Sequence, residues 1–462
     1  LITRPAFHSL EGEAFMRFAR KKRSRLAIEL LEDRTVPATL SALADINANN
    51  PSSDPREFTQ VGDSLYFSAK TEATGFELWK TDGTVEGTTL VKDIYPGAAS
   101  SSPHNLQSIN GKLYFAANDG MNGYELWQSD GSEEGTTRIS NFSATAFFSH
   151  ESPVIFANGL IYTVASGLNQ EGGEGSLYVI DENTGETSLV FNAAVFKRSV
   201  ALMGNSLMFI ANDGTSGFEV WKLEIGTQTP IAITDLSTQF SRAFGNSNTL
   251  VADGYYFFHA ANGISNGLWK TDGTPGGAEL VFNPYVLPQY SIGGEFVRVG
   301  NLIYFSTYDG RTSRLYVTDG TTAGTRRIAN FYGDSPSNVN SLTYFKGELY
   351  FVASNLLGPE LWKTNGTAAG TTFVKPLATD GRGSNPTQLI VAGDILYFKI
   401  VPSGQSTQLA RSDGAAEGTY AIATVIANEF IPFDDRLFLS QYDFRGTELW
   451  VSDGTIGPPT LF

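Results

Sequence analysis

The sequence predicts an all-β protein, and three observations carry that prediction. A motif of Glu, Leu and an aromatic, followed by a polar turn rich in Gly, returns nine times in degrees of wear. Between its copies lie short runs of Leu, Tyr, Phe and Val bounded by Gly, Asn, Asp and Ser, the pattern of strands joined by tight turns. Forty-eight glycines and 12 % aromatics supply the turns and the core bulk that many short strands need.

The clearest copy runs Glu77-Leu78-Trp79-Lys80-Thr81-Asp82-Gly83-Thr84-Val85-Glu86-Gly87-Thr88-Thr89-Leu90-Val91-Lys92-Asp93-Ile94. Two apolar runs flank a polar turn, which reads as a hairpin. Asp82 is suited to bond backbone N–H groups two residues on, and Gly83 and Gly87 to adopt φ > 0. Asp130 and Gly131, Asp272 and Gly273, Asp319 and Gly320, and Asp453 and Gly454 hold the same positions, as do Asp413 and Asn365. All are read as turn formers. A calcium ion needs six to eight oxygens in one place, and one Asp per hairpin does not gather them. No metal and no cofactor is expected.

The aromatic after Glu-Leu marks each repeat. Its positions are Trp79, Trp127, Tyr178, Trp221, Trp269, Tyr316, Trp362, Ala410 and Trp450, and this column takes all six tryptophans of the chain. An aromatic at one strand position in every repeat is expected as a core ring between neighbouring sheets. Spacings of 40 to 51 residues match the period of four-stranded propeller blades.

Four strands fit each repeat. In the second they are 105–109, 112–117, 124–129 and 136–140. Leu113-Tyr114-Phe115-Ala116-Ala117 is apolar at both parities, so both sheet faces should be covered, as in stacked blades. The ends fit a ring. The last repeat has strands near 429–433, 436–440 and 448–452, and then Pro458 and Pro459 deprive a fourth strand of donors. Leu40–Ile46 matches a fourth strand and has no blade of its own. The expected fold is therefore a single large propeller over residues 39–462, of nine blades or eight. It closes where strand 40–46 lies antiparallel to the last blade.

Residues 1–38 differ from this body. Arg17, Arg20, Lys21, Lys22, Arg23 and Arg25 cluster ahead of Leu26-Ala27-Ile28-Glu29-Leu30-Leu31 and Glu32-Asp33-Arg34-Thr35-Val36-Pro37-Ala38. Basic then apolar is the order of an export signal, though this apolar part is short and carries Glu29. The segment is read as a basic tail without fixed structure and resembles the N-terminal export segment of many large bacterial surface and secreted proteins.

The repeat itself resembles the signature of the bacterial ELWxxDGT repeat family. Glu360-Leu361-Trp362-Lys363-Thr364-Asn365-Gly366-Thr367 and Glu448-Leu449-Trp450-Val451-Ser452-Asp453-Gly454-Thr455 are near-complete copies, while the fourth repeat departs with Leu223-Glu224-Ile225-Gly226. The resemblance spans most of residues 40–462. It implies a large secreted or cell-surface bacterial β-repeat protein and transfers no catalytic residue.

Composition narrows the function classes. The net charge is −16, and since residues 1–38 hold eight Lys/Arg against five Asp/Glu, the body is more acidic still. An acidic body repels nucleic acid and anionic lipid. The chain has no Cys, which excludes disulfides and thiolate metal sites. No apolar run is long enough for a transmembrane helix. Catalysis has little support: the four His, at 8, 104, 150 and 259, show no ligand spacing, and neither a Gly-x-Ser-x-Gly nor a phosphate-loop sequence occurs.

Two columns remain. Glu77, Glu125, Glu219, Glu360 and Glu448 lie two residues before the aromatic, on the same sheet face, and are expected to accept hydrogen bonds from a neighbouring blade's backbone or from Thr hydroxyls. Asp119, Asp213, Asp309 and Asp443 lie between second and third strands. Those loops share a face with the long, variable connections from fourth to first strand, so this face is the one expected to bind. The reading is a non-enzymatic secreted or cell-surface scaffold that binds a polysaccharide or a protein partner. The alternatives are a propeller enzyme, lyase or hydrolase, acting on extracellular polysaccharide, and a purely structural surface-layer component.

Overall fold

The computed structural model describes residues 41–44, 46–47, 52–142, 146–149, 151–167, 173–215, 217–236, 249–261, 266–285, 291–308, 313–328, 338–356, 358–378, 382–443 and 446–454. All of them belong to one of the two compact units of the chain, Pro37–Phe462. The expected basic tail, residues 1–38, lies outside the described residues.

The body is all-β. Among the described residues the single helical turn is a 3-10 turn, Lys197–Ser199. The first repeat folds as Arg56–Val61, Ser64–Thr71, Gly75–Thr81 and Thr89–Lys92, an antiparallel sheet in chain order. The second, fifth, sixth, seventh and eighth repeats do the same. The third and fourth share one nine-stranded sheet. Between these two repeats the chain does not leave the ladder for a separate connection. The strand Thr187–Phe196 instead runs straight on, and its Ala194 and Val195 pair with Asn212 and Ala211 of the fourth repeat.

The ninth repeat supplies Ala427–Phe433, Arg436–Asp443 and Gly446–Ser452. Its outer strand comes from the other end of the body. Ser41–Ala44 lies antiparallel to Gly446–Ser452, with Ser41 opposite Val451, Ala42 opposite Trp450 and Ala44 opposite Leu449.

Second and third strands are buried on both faces, and their parities serve different neighbours. Phe115 and Leu113 pack with Tyr66, Leu78 and Val91 of the first repeat, whereas Tyr114 and Ala116 pack with Ile161 and Ile180 of the third. A cluster of this kind lies between each consecutive pair of repeats. Another holds Leu65, Phe67 and Ala69 of the first repeat against Phe433, Phe438 and Leu449 of the ninth.

The landmark aromatics sit within these clusters. Trp127, Trp269, Trp362, Trp450 and Tyr316 are buried, while Trp79 and Trp221 are half-buried. Most face a Phe across the ladder, as Trp79 faces Phe67 and Trp127 faces Phe115. The indole N–H of Trp127, Trp221 and Trp362 donates to the carbonyl of Ala117, Ala211 and Ala353 at 3.1 Å. A ring that large is thereby buried with its one polar atom satisfied.

Two expectations need correction. The fourth strand of the second repeat is Thr137–Arg138, not 136–140. Past it the Ile139 N–H still donates to the Leu126 carbonyl at 2.9 Å, but the Leu126 N–H turns to the Ser140 hydroxyl at 2.8 Å, and Glu125 accepts that hydroxyl and the Phe142 N–H. Gly87 does not serve by a positive φ; among this hairpin's glycines that belongs to Gly83, at +87°. Any Cβ at Gly87 would collide with the Asp82 carboxylate, and Gly135, Gly324, Gly370 and Gly418 stand in the same relation to Asp130, Asp319, Asn365 and Asp413. Asp82 Oδ1 meanwhile accepts the Thr84 N–H at 2.9 Å and the Thr84 hydroxyl at 2.7 Å. The turn is a closed polar knot with space for hydrogen only at its second glycine.

Candidate functional site

Each sheet starts its first strand, and joins its second to its third, at one common face. The connections between repeats lie there too. The carboxylate column holds those connections down. Glu77 has no exposed surface. One of its oxygens accepts the Ser101 N–H at 2.9 Å, the other the Ile94 N–H at 2.9 Å and the Ser101 hydroxyl at 2.5 Å. Ser101 belongs to the chain entering the second repeat. Glu219 binds the Thr234 hydroxyl and the Leu236 N–H, and Glu360 binds the Ser384 hydroxyl. The donors thus come from the connection to the next repeat and not from the next sheet; the expected Thr hydroxyl is present at Glu219, with Ser in its place at Glu77 and Glu360. Glu448 of the last repeat does the same to the chain entering the first: it accepts the Ser53 N–H at 3.1 Å and the Ser53 hydroxyl at 2.6 Å. Burial outweighs these donors at Glu77 and pushes its carboxyl up to about 7.

Of the four aspartates expected on this face, Asp119 and Asp213 bond within their own loops. Asp119 closes its own loop, accepting the N–H groups of Met121 at 2.9 Å and Asn122 at 2.8 Å. Asp213 accepts the Thr215 N–H at 2.9 Å and its hydroxyl at 2.8 Å. Asp443 ends the strand Arg436–Asp443, opposite Gly446, and Asp309 lies outside the described residues. Among the described residues no three His, Asp or Glu side chains are placed to hold a metal ion. No described helix is long and apolar enough to cross a membrane.

Two features of this face were missed in the sequence. One is a cavity of about 410 Å³ where the first strands of the first two repeats begin, lined by Arg56, Glu57, Ser102, Pro103, His104, Tyr124, Phe148 and Ser149. It owes its shape to a bulge. Glu57 and Asn105, each the second residue of its first strand, adopt φ of +59° and +54°, and the ladder slips there. The bulge swings one backbone N–H away from the ladder toward the neighbouring repeat. Glu429 of the ninth repeat accepts the Glu57 N–H at 2.9 Å, and Glu57 accepts the Asn105 N–H at 2.8 Å. Asn105 then donates to the Ser152 carbonyl at 2.7 Å. Burial, with the nearby Glu57 charge adding to it, pushes the Glu429 carboxyl up against the pull of that bond. In the cavity wall the Arg56 guanidinium lies 3.9 Å over the Phe76 ring, and His104 meets Tyr124 edge-on at 5.0 Å. No sequence signal marks this bulge, because Glu57, Asn105, Ser341 and Gln388 fill the same position with unlike side chains.

The other is a run of exposed apolar side chains. Tyr308, Leu356, Val401 and Tyr442 stand where the second strand meets its loop in the sixth, seventh, eighth and ninth repeats, and Ile426 lies in the connection between the last two. Leu356 is 78 % exposed.

No family model and no curated protein matches the chain. Solved structures are similar at low identity. BamB from Moraxella catarrhalis has a TM-score of 0.44 at 15 % identity, over 75 % of this chain and 92 % of its own. A puromycin hydrolase has 0.40 at 13 %, over 80 % of this chain and 64 % of its own. A prolyl endopeptidase has 0.41 at 13 %, over 75 % of this chain and 49 % of its own. The chain thus spans about half to two thirds of the length of these two hydrolases. Such distant likeness carries no site, substrate or partner across.

Proposed function

We propose that residues 39–462 form a closed nine-bladed propeller that serves as a secreted or cell-surface binding scaffold, with the face of second-to-third-strand loops as its docking surface. Three contacts from the ninth repeat to the first support closure: the strand Ser41–Ala44, the Glu448–Ser53 bonds and the shared cluster around Phe67 and Phe438. The buried aromatic column belongs to the core of that ring, and the hairpin aspartates are its turns.

The observation that carries the binding role is the apolar run Tyr308, Leu356, Val401, Tyr442 and Ile426 over four consecutive repeats. Surface apolar groups are ordinary when scattered, and a recurring series on one loop face is what an interface needs. Leu356, Val401 and Ile426 offer no flat ring to a sugar. They favour a protein partner over the polysaccharide that the sequence left equally open. Asp119 and Asp213 shape this face by fixing their loops and are not its ligands.

The test is a photo-crosslinking residue at position 356 of the full chain, exposed to the secreted and surface proteins of the source cells, beside a glycan array. Crosslinking to one protein that is abolished by Tyr442→Asp with Val401→Asp supports the reading. Array binding that survives both substitutions would move the site elsewhere and the partner to polysaccharide.

A further inference from the structure

Lys197 is an anomaly beside the cavity. It is 3 % exposed, and among the described residues no carboxylate bonds its amine. Its partners are two hydroxyls, Ser149 Oγ at 2.6 Å and Ser166 Oγ at 2.5 Å. Glu151, whose charge acts on Lys197, bonds Arg198 at 2.9 Å. A buried ammonium bonded directly only to hydroxyls among the described residues is costly, so this site favours the neutral amine. Burial indeed lowers the Lys197 pKa, while the Glu151 charge opposes that shift.

The two serines differ. Ser166 is buried, and its hydroxyl donates to the Glu174 carbonyl at 3.1 Å. Its oxygen is left to accept from Lys197, which fixes the amine. Ser149 is half-buried and lines the cavity together with Arg56 and His104. With Lys197 neutral, the Ser149 hydroxyl faces the nitrogen lone pair. A hydroxyl, a base within hydrogen-bond reach and a third group that orients the base make the arrangement of an activated nucleophile.

We propose that Ser149 and Lys197 are a nucleophile and its general base, and that they hydrolyse small carboxylic esters held in the adjoining cavity. Ser149 Oγ attacks the carbonyl carbon while its proton moves to Lys197 Nζ. The carbonyl electron pair goes to oxygen, where the Arg56 guanidinium in the cavity wall supplies positive charge. The tetrahedral adduct collapses, the bond to the alkoxy oxygen breaks, and Lys197 returns the proton to the departing alcohol. Water, losing a proton to Lys197, then attacks the acyl carbon; the bond to Ser149 Oγ breaks, Oγ takes the proton back from Lys197, and the carboxylic acid leaves. Ser166 is a positioning residue. The proposal is independent of the apolar docking surface.

Other titratable groups near the pair are His104, Glu57 and Arg56 in the cavity wall and the Glu151–Arg198 pair. The test labels the full chain with a fluorophosphonate and maps the adduct by mass spectrometry. The expected result is an adduct on Ser149 that forms faster as pH rises through the Lys197 titration, absent in Ser149→Ala. Lys197→Met should slow it at least about a hundredfold, the usual worth of a general base. Ser166→Ala should keep the adduct on Ser149 but displace its pH profile. Should Lys197→Met not fold, Ser149→Cys gives the chain its single thiol. Proton transfer from that thiol to Lys197 should leave a thiolate beside an ammonium, so iodoacetamide should react at pH 6 faster than with free cysteine. A folded wild-type chain with no adduct on Ser149 up to pH 10, or a Ser149→Cys thiol no faster than free cysteine, would overturn the proposal.

Discussion

At the scale of single residues the fold is held by small polar knots whose cost of disruption is local. Gly135 shows it. A methyl group there would displace the Asp130 carboxylate, which accepts the Ser132 N–H at 2.9 Å and its hydroxyl at 2.7 Å. Gly135→Ala should therefore destabilise by about 1–3 kcal/mol in denaturant titration, the cost of stranding hydrogen-bonding groups. Gly111→Ala is the contrast: space around it is open, and any cost arises from its φ of +77° alone. Glu77 makes a pH prediction. Its carboxyl titrates at about 7 in the fold and at 4.5 when unfolded. The folded state then holds the proton more tightly, so the contribution of Glu77 is full below 4.5 and is lost as pH rises through 7. Glu77→Gln should flatten the stability-against-pH curve between those values. An unchanged slope would mean that burial does not govern this carboxyl.

At the scale of elements, much was legible before any coordinates. The alternation in Leu113-Tyr114-Phe115-Ala116-Ala117 predicts a strand covered on both faces, and each parity packs on a different neighbour. The hairpins were readable from Asp-Gly pairs. Strand ends were not. Thr137–Arg138 stops early because the Ser140 hydroxyl, held by Glu125, takes the Leu126 N–H in place of a backbone carbonyl, a contest that propensity does not register. The cavity was illegible for a similar reason. It depends on positive φ at Glu57 and Asn105, residues with no intrinsic need for it, and on Ser149 meeting Lys197, 48 residues further on. The aspartates nominated for binding were legible only as loop residues, since Asx turns and ligand sites use the same side chain. For the aromatic column, Trp362→Ala should cost about 3–5 kcal/mol, the usual figure for a large core aromatic. Trp79, half-buried, should cost less under the same chemical denaturation.

At the scale of the whole molecule, several links between consecutive repeats have counterparts between the ninth and the first. Lys80 reaches the Gly131 carbonyl of the next hairpin at 2.8 Å, and Arg411 reaches that of Gly454 at 3.1 Å. Arg436 of the ninth repeat reaches Gly83 of the first. The same serine-carboxylate staple that joins Glu77 to Ser101 joins Glu448 to Ser53. An open array would leave two sheet faces and an edge strand exposed, which proteins of this kind avoid. If the ring closes as proposed, Ser41–Ala44 contributes to the whole body and not only to the last sheet. The most direct test of closure uses a chain that has no cysteine of its own. Ser41→Cys with Val451→Cys places one thiol on each of two paired positions near opposite ends of the body. Under native conditions with a mild oxidant, a closed ring predicts an intramolecular disulfide in nearly every molecule, seen as the loss of two hydrogens in intact mass and a raised unfolding temperature. Two free thiols after oxidation of the folded monomer would contradict it.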